Sequence, residues 1–212
     1  MTDTPPSAAG AANFAIGVFT RPPEPGRTKT RLIPALGAQG AADLHLRMLR
    51  QTLAACAQTQ AALTLWVTDS PDHAVFARLA SEFGCAIAVQ QGDDLGARMQ
   101  HALAQMLRAQ PRALVIGSDC LLHSAQSLQS AAARLAQHDM VFTPAEDGGY
   151  VLVGARVAHP QAFAQIAWGS AQVMAQTRAA LARAGIAWAE EPPLWDIDLP
   201  ADVARAQRLG LL

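Results

Sequence analysis

Carboxylates follow apolar, strand-like segments at separated places in the chain. Asp119 comes just after the apolar run at 113–116, and Asp196 and Asp198 stand two residues apart near the C-terminus. In an extended segment, that spacing points both side chains to the same side. Carboxylate oxygens suit Mg²⁺ or Mn²⁺, which also bridges phosphate oxygens. We therefore predict a metal site at Asp119, Asp196 and Asp198. The alternative roles are a turn or helix cap for Asp119 and a cap of the closing helix for Asp198.

A further carboxylate, Asp147, precedes two glycines and Tyr150. Successive glycines let a ligand approach the backbone closely and leave the amide groups unobstructed. An Asp-Gly pair is also a strong hairpin-turn signal, and the two roles are compatible. Asp147 is suited to accept a proton from an acceptor hydroxyl, or to bind that hydroxyl. We predict Asp147 and Asp119 as catalytic residues, and Gly148, Gly149 and Tyr150 as acceptor-binding residues.

The loop after the first strand-like run is basic, with only Glu24 as a negative charge. Guanidinium and ammonium groups hold diphosphates, and this loop commonly contacts the nucleotide in doubly wound sheets. An ordinary solvated basic turn is the alternative. The chain lacks the Gly-x-x-x-x-Gly-Lys pattern of a P-loop. The residues predicted to bind the nucleotide or its phosphates are Arg21, Gly26, Arg27, Lys29, Arg31 and Ser118.

The elements that must position these residues alternate between strand and helix. Apolar runs predict strands at 14–19, 63–67, 85–89, 113–116, 140–143, 150–153 and 186–189. Helical periodicity predicts helices at 38–58, from about 71, and at 95–110, 124–137, 170–184 and 200–209. This order predicts an α/β fold, a three-layer α/β/α domain with a mostly parallel sheet. The segment at 140–154 breaks the alternation and lets one antiparallel strand enter the sheet.

Three local features indicate a structural or functional role less specifically than the motifs above. Ser70 is predicted to cap the second helix. Asp93 and Asp94 suit the positive end of the third helix, and Arg98 on that helix is a candidate for the crevice. Trp168 suits either stacking on a base or sugar or burial in the core.

Composition excludes several classes of protein. The 212 residues include 16 basic and 17 acidic side chains, a net charge of −1, so a broad basic face for nucleic acid is not expected. The three cysteines and six histidines have no metal-ligand spacing, which argues against zinc. No apolar run approaches the ~20 residues of a membrane span. We expect a disordered tail at 1–12, one domain at 13–212 and a cytoplasmic location, and we leave self-association open.

Taken together, these motifs resemble a known group. The segments at 25–32, 92–99, 117–120, 144–150, 168–169 and 195–198 occur in the order seen in the radical-SAM/selenodomain-associated transferases. Those are bacterial proteins of the GT-A, or nucleotide-diphospho-sugar transferase, fold, usually described as glycosyltransferases. The resemblance spans roughly residues 14–209. More distantly, the Lys-Thr-Arg loop and the Asp-x-Asp segment are similar to phospholactate guanylyltransferase and the molybdenum-cofactor nucleotidyltransferases.

The resemblance implies roles for several residues. Asp119, Asp196 and Asp198 would hold the metal, while Lys29 and Arg31 would contact phosphate. Gly148 with Gly149 would line the acceptor side.

Three functions are therefore open. Family usage favours a glycosyltransferase that moves a sugar from a nucleotide diphosphate donor to a small-molecule acceptor. The alternative is a nucleotidyltransferase that joins a nucleoside triphosphate to a phosphorylated acceptor and releases pyrophosphate. The third is a nucleotide-binding module without catalysis. The residues themselves divide nearly evenly between the first two.

Overall fold

The computed structural model describes residues 12–212, which fold around a seven-stranded sheet. Apart from Ala12, the predicted disordered tail lies outside the described residues. Each predicted strand is present, with boundaries shifted by one or two residues. The strands are β1 (Ala15–Thr20), β2 (Ala62–Val67), β3 (Ala86–Val89), β4 (Ala113–Gly117), β5 (Met140–Pro144), β6 (Tyr150–Ala155) and β7 (Trp188–Glu190).

The strand order across the sheet is β3-β2-β1-β4-β6-β5-β7. β6 runs antiparallel to both of its neighbours, β4 and β5. The remaining neighbours pair in parallel. A short turn joins β5 to β6, and a connection of that length can only return antiparallel. The predicted mostly parallel sheet with one antiparallel strand is confirmed, and the carboxyl ends of the parallel strands share one edge.

Helices cover both faces of the sheet, as predicted for three layers. α1, α2 and α4 bury side chains such as Leu49, Phe76 and Leu128 on one face. α3 and α5 bury Met99 and Leu181 on the other. Each fully buried side chain of this kind stabilises the fold by about 1.5–3 kcal/mol relative to exposure. The helices are α1 (Ile33–Ala57), α2 (Ala74–Phe83), α3 (Leu95–Met106), α4 (Ala125–Arg134), α5 (Val173–Ala184) and α6 (Pro200–Arg208).

The longest helix, α1, is interrupted near its start. Gly37 has φ 71° and ψ 166°, which lie outside the helical region, so the regular helix follows it. This agrees with a helical pattern that begins at residue 38. Within residues 12–212, no helix has the length and apolar character needed to cross a membrane.

The predicted cap of α2 is wrong. α2 begins at Ala74 rather than near residue 71, and its cap is His73 rather than Ser70, because Nδ1 of His73 accepts a hydrogen bond from the N–H of Val75 at 3.3 Å. Ser70 belongs to the preceding turn, where its carbonyl accepts from the N–H of His73 at 3.0 Å.

At α6, the side chain of Asp198 is not the cap. Asp202 reaches back instead, and its Oδ2 accepts from the N–H groups of Asp198 at 3.1 Å and Leu199 at 2.7 Å. Capping by a residue inside the first turn leaves the Asp198 carboxylate available for other partners.

A third apolar cluster fixes the segment that carries Asp196 and Asp198. Trp195 and Ile197 are buried against Leu44 and Met48 of α1 and against α6. Burial of residues 195 and 197 leaves the alternate residues, 196 and 198, facing the crevice.

Candidate functional site

Two adjoining cavities open at the carboxyl-terminal edge of the parallel strands, where open α/β sheets bind ligands. The larger, of about 690 Å³, lies among the loop after β1 and the ends of β2, β3 and β4. The smaller, of about 400 Å³, lies beside the turn between β5 and β6 and the segment before α5. Arg31, Leu95 and Gly169 line both cavities, which therefore form one crevice with two lobes.

The basic loop surrounds one side of the larger cavity. Its shape is fixed by Thr28, which is buried and whose Oγ1 donates to the carbonyl of Pro22 at 2.6 Å. Gly26 lies at a turn with φ +82° and is not among the lining residues. The other residues predicted to bind phosphate all line this cavity: Arg21, Arg27, Lys29, Arg31 and Ser118.

Lys29 is the most enclosed cation of this loop, with a side chain only 6% exposed. Its Nζ donates to the carbonyl of Ile197 at 2.6 Å and lies 2.9 Å from Oδ2 of Asp119. The N–H of Ile197 in turn donates to the carbonyl of Asp119 at 2.9 Å. Lys29 also has a left-handed backbone, with φ 50° and ψ 46°, a conformation that costs about 1–3 kcal/mol and is common at functional sites. Three distant parts of the chain thus converge on this ammonium group.

Asp198 is shared by two loop cations. Its Oδ1 lies 3.6 Å from Nζ of Lys29, and its Oδ2 pairs with Nη1 of Arg31. Of the three carboxylates predicted to bind metal, Asp198 is therefore the one with two cationic partners, while Asp119 shares Lys29 with it.

Asp196 has the opposite environment. Its burial, followed by repulsion from Asp147 and then Asp119, raises the pKa of Asp196 to about 6. Lys29 opposes this rise only weakly. The lobe that holds Asp196 therefore has an excess of negative charge that a bound cation would relieve.

The carboxylates fit a magnesium or manganese ion that is shared with a substrate. Within residues 12–212, no three His, Cys, Asp or Glu side chains are grouped closely enough to hold a metal by themselves. Mg²⁺ is usually held by one or two carboxylates together with substrate phosphates, not by an all-protein cage. Asp119 and Asp196 are hard oxygen donors: Asp119 shares Lys29 with Asp198, and Asp196 is repelled by Asp147 and Asp119, so both match that mode of binding. The metal assignment, including Asp198, stays a prediction.

His45 lies beneath this site although its sequence position gives no sign of it. Its Nε2 lies 3.0 Å from the carbonyl of Arg21 and 3.2 Å from Oγ1 of Thr20. A carbonyl only accepts, so Nε2 carries the proton, and Nδ1 faces Oδ1 of Asp119 at 3.8 Å. Burial lowers the pKa of His45, which favours the neutral ring. His45 thus supports the start of the basic loop, and its unprotonated Nδ1 makes no hydrogen bond to Asp119.

The smaller cavity contains most of the residues predicted to bind the acceptor. Asp147, Gly149 and Tyr150 line it, and Oδ1 of Asp147 accepts from the N–H of Gly149 at 2.9 Å. Burial raises the pKa of Tyr150, which is therefore a neutral phenol. Gly148 is not a lining residue; its φ is +92°, and an added Cβ would lie 2.1 Å from the carbonyl oxygen of Ala171. Glycine is required there by the close approach of the backbone.

The start of α3 forms part of the wall between the lobes. Oδ1 of Asp94 accepts from the N–H of Ala97 at 2.7 Å, so the predicted structural role of this acidic pair is confirmed for Asp94. Arg98 lines the larger cavity. Gly96 packs against Trp168, since an added Cβ would lie 2.3 Å from Cζ2 of the indole. Trp168 is thus a packed wall of the smaller cavity, in T-shaped contact with Tyr150 at 6.2 Å.

Cys120, next to Asp119, is buried, and burial raises the pKa of its thiol to about 12. It is therefore a packing residue and not a nucleophile.

Thr68 and Gln90 are polar crevice residues that the sequence did not single out, and they line the larger cavity just beyond the ends of β2 and β3. Their position at strand ends is the same signal that singled out Asp119, so it could have found them. His45 had no such signal, because it lies within a helix.

Residues 52–170 match the protein-family model described as "Uncharacterized protein conserved in bacteria (DUF2064)". The chain belongs to this family. This DUF2064 chain is also 35% identical, over 121 residues, to a phosphoenolpyruvate guanylyltransferase of Roseiflexus castenholzii. That match covers 57% of the chain and 54% of the relative, so the chain spans about half the length of the curated relative it matches.

Solved structures share the DUF2064 fold. A protein of Desulfovibrio desulfuricans G20, described provisionally as a nucleotide-diphospho-sugar transferase, superposes with a TM-score of 0.81 at 30% identity, covering 89% of this chain and 83% of that one. The 4-diphosphocytidyl-2C-methyl-D-erythritol synthase of Anaerococcus prevotii gives a TM-score of 0.64 at 8% identity, with coverage of 94% and 97%. The second likeness shows the fold alone. The predicted nucleotide-diphospho-sugar transferase-like fold is confirmed.

Proposed function

We propose that this protein is a nucleotidyltransferase, which transfers a nucleoside monophosphate from a nucleoside triphosphate to a phosphorylated small molecule and releases pyrophosphate. The observation that carries the proposal is the two-lobed crevice, with the loop cations around the larger lobe and Arg31 on the boundary with the smaller one. The guanylyltransferase relative supports this reaction over the sugar transfer that the sequence resemblance favoured first.

The reaction is a displacement at the α-phosphorus. An oxygen of the acceptor phosphate forms a bond to that phosphorus, and the bond to the oxygen that bridges to the β-phosphate breaks. The electron pair leaves with pyrophosphate. Arg21, Arg27 and Lys29 line the larger lobe, and in this proposal they neutralise the departing phosphates. Arg31 lines both lobes, and in this proposal it contacts the acceptor and donor phosphates together.

Asp119 and Asp196 would hold a magnesium or manganese ion, which when bound supplies a Lewis acid for the phosphoryl oxygens. Asp198 has a different role in this proposal. It pairs with Lys29 and Arg31, and substrate phosphates would compete with it for these two cations.

The smaller lobe receives the acceptor. An ionised phosphate is already a nucleophile, so no general base is needed for it. Asp147 therefore orients the acceptor, together with Gly149 and Tyr150. Phosphoenolpyruvate, named for the guanylyltransferase relative, is the first acceptor to test.

The test is to incubate the protein with Mg²⁺, each of the four nucleoside triphosphates and phosphoenolpyruvate, and to measure pyrophosphate. We expect acceptor-dependent pyrophosphate release that Asp119→Asn abolishes. Asp93→Asn is the matched control, since this exposed side chain lines neither cavity. Failure of a wider panel of phosphorylated acceptors to release pyrophosphate would refute the proposal.

Glycosyl transfer is the second candidate, supported by the description of the Desulfovibrio protein. It would release a nucleoside diphosphate from a nucleotide sugar, which chromatography separates from pyrophosphate. Nucleotide binding without turnover of either donor would favour a non-catalytic module. The association with radical-SAM proteins stays a prediction.

A further inference from the structure

Gln90 holds a fixed hydrogen-bond acceptor toward the larger cavity. It follows β3, and its Nε2 donates to the carbonyls of Thr20 at 3.2 Å and Trp66 at 3.0 Å. Both partners are carbonyls, which only accept, so the opposite orientation of the amide would place oxygen against oxygen. With both N–H groups used, the oxygen Oε1 is the group left for a ligand, and Gln90 lines the cavity.

The position of Gln90 places it at the nucleoside end of a bound nucleotide. The loop cations lie on the side of the cavity formed by residues 21–31, where phosphates would bind. Gln90 and Thr68 lie at the ends of β3 and β2, across the sheet from β4 and Asp119. With the acceptor in the smaller lobe, as in the proposed function, a nucleotide whose phosphates contact the loop extends its base along the β2 and β3 ends.

Arg98 supplies hydrogen-bond donors to the same cavity as Gln90. Its Nε donates at 3.1 Å to the carbonyl of Gly92, a residue that follows Gln90 by two positions. Arg98 also lines the larger cavity. Within residues 12–212, its terminal nitrogens make no hydrogen bond or ion pair with a side chain. This end of the cavity thus offers one oriented acceptor and a guanidinium fork.

We propose that Gln90 and Arg98 select guanine as the base of the nucleotide donor, an inference that rests on nucleotide binding in this crevice. Guanine presents N1–H and N2–H₂ donors to Oε1 of Gln90, and its O6 and N7 acceptors match an arginine fork. Adenine has an N6–H₂ donor where guanine has O6, so it would meet the donors of Arg98. Uracil has one ring N–H and no amino group, so it gives Oε1 one donor where guanine gives two.

The experiment measures binding of α,β-methylene analogues of GTP, ATP, CTP, UTP and ITP to the intact protein by calorimetry with Mg²⁺. These analogues are not cleaved at the α-phosphorus, so binding is measured without turnover. We expect the GTP analogue to bind about 10-fold or more tightly than the others, and the ITP analogue, which lacks the 2-amino group, to lose part of that advantage.

The variants separate base recognition from general binding. Gln90→Met should weaken the GTP analogue about 10-fold and change the ATP analogue little. Gln91→Met is the matched control, because Gln91 is exposed and does not line the cavity. Arg98→Met should also lower the GTP-to-ATP preference, and it carries the test if Gln90→Met fails to fold.

Each outcome decides between the two proposals. Binding without preference for guanine, or an unchanged preference in both variants, would overturn the assignment of Gln90 and Arg98 and leave nucleotidyl transfer standing. No binding of any analogue would overturn both.

Discussion

Replacing Asp196 with asparagine should stabilise the protein relative to the wild type, and the gain should be larger at pH 8 than at acid pH. Burial and the carboxylates of Asp147 and Asp119 raise the pKa of Asp196 from 3.8 to about 6. The folded state therefore binds the proton more tightly than the unfolded chain does. As the pH rises from about 4 to 7, the wild type loses stability, and above about pH 7 the loss is complete.

The size of the loss follows from the two pKa values. A rise from 3.8 to about 6 corresponds to about 3 kcal/mol, the upper limit. Because solvent reaches part of this side chain, we expect about 1–2 kcal/mol. Asparagine has nearly the same shape and no charge, so it should recover this amount at pH 8. At pH 4.5, only about one third of the difference should remain.

Urea unfolding at pH 8 and pH 4.5 measures both values, and thermal unfolding should show a gain of about 2–8 °C at pH 8. Asp93→Asn serves as the control, because Asp93 is exposed and outside both cavities. A variant no more stable than the wild type at pH 8, or a gain of equal size at both pH values, would refute the electrostatic reasoning. Mg²⁺ should stabilise the wild type more than the variant, since it binds the carboxylates of the native state.

Three further changes test other parts of the crevice. Lys29→Met removes the cation that lies 2.9 Å from Asp119. The free energy of unfolding, measured with urea at pH 7, should fall by about 2 kcal/mol. No loss of stability would mean that the ion pair is solvated. Gly96→Ala places a Cβ 2.3 Å from Trp168. This substitution should lower the free energy of unfolding by about 1–3 kcal/mol and change the tryptophan fluorescence emission. An unchanged emission spectrum would contradict this packing. Asp94→Ala removes the cap of α3 and should cost about 1 kcal/mol by thermal unfolding, against no cost for Asp93→Ala.

Much of the architecture could be predicted from the sequence because its causes are local. A strand such as Ala113–Gly117 is marked by a continuous apolar run, and its place in a mostly parallel sheet follows from the alternation with helices. The rule that ligands bind at strand ends then identified Asp119 and the basic loop, and both lie in the crevice. Errors occurred where neighbouring residues compete for one local task, as at the start of α2, where His73 is the cap in place of Ser70.

The relation between the charged groups could not be predicted in the same way. Sequence spacing predicted Asp196 and Asp198 as an equivalent pair of ligands, whereas Asp198 is paired with Lys29 and Arg31 and Asp196 is repelled by Asp147. The amide orientation of Gln90, likewise, depends on carbonyls from two other strands. The sequence by itself determined the elements and the residues at their ends, because burial of apolar side chains follows short periodic patterns. Only the tertiary structure decided which charges meet, because an ion pair or a pKa depends on distances of a few ångströms between residues that are far apart in the chain.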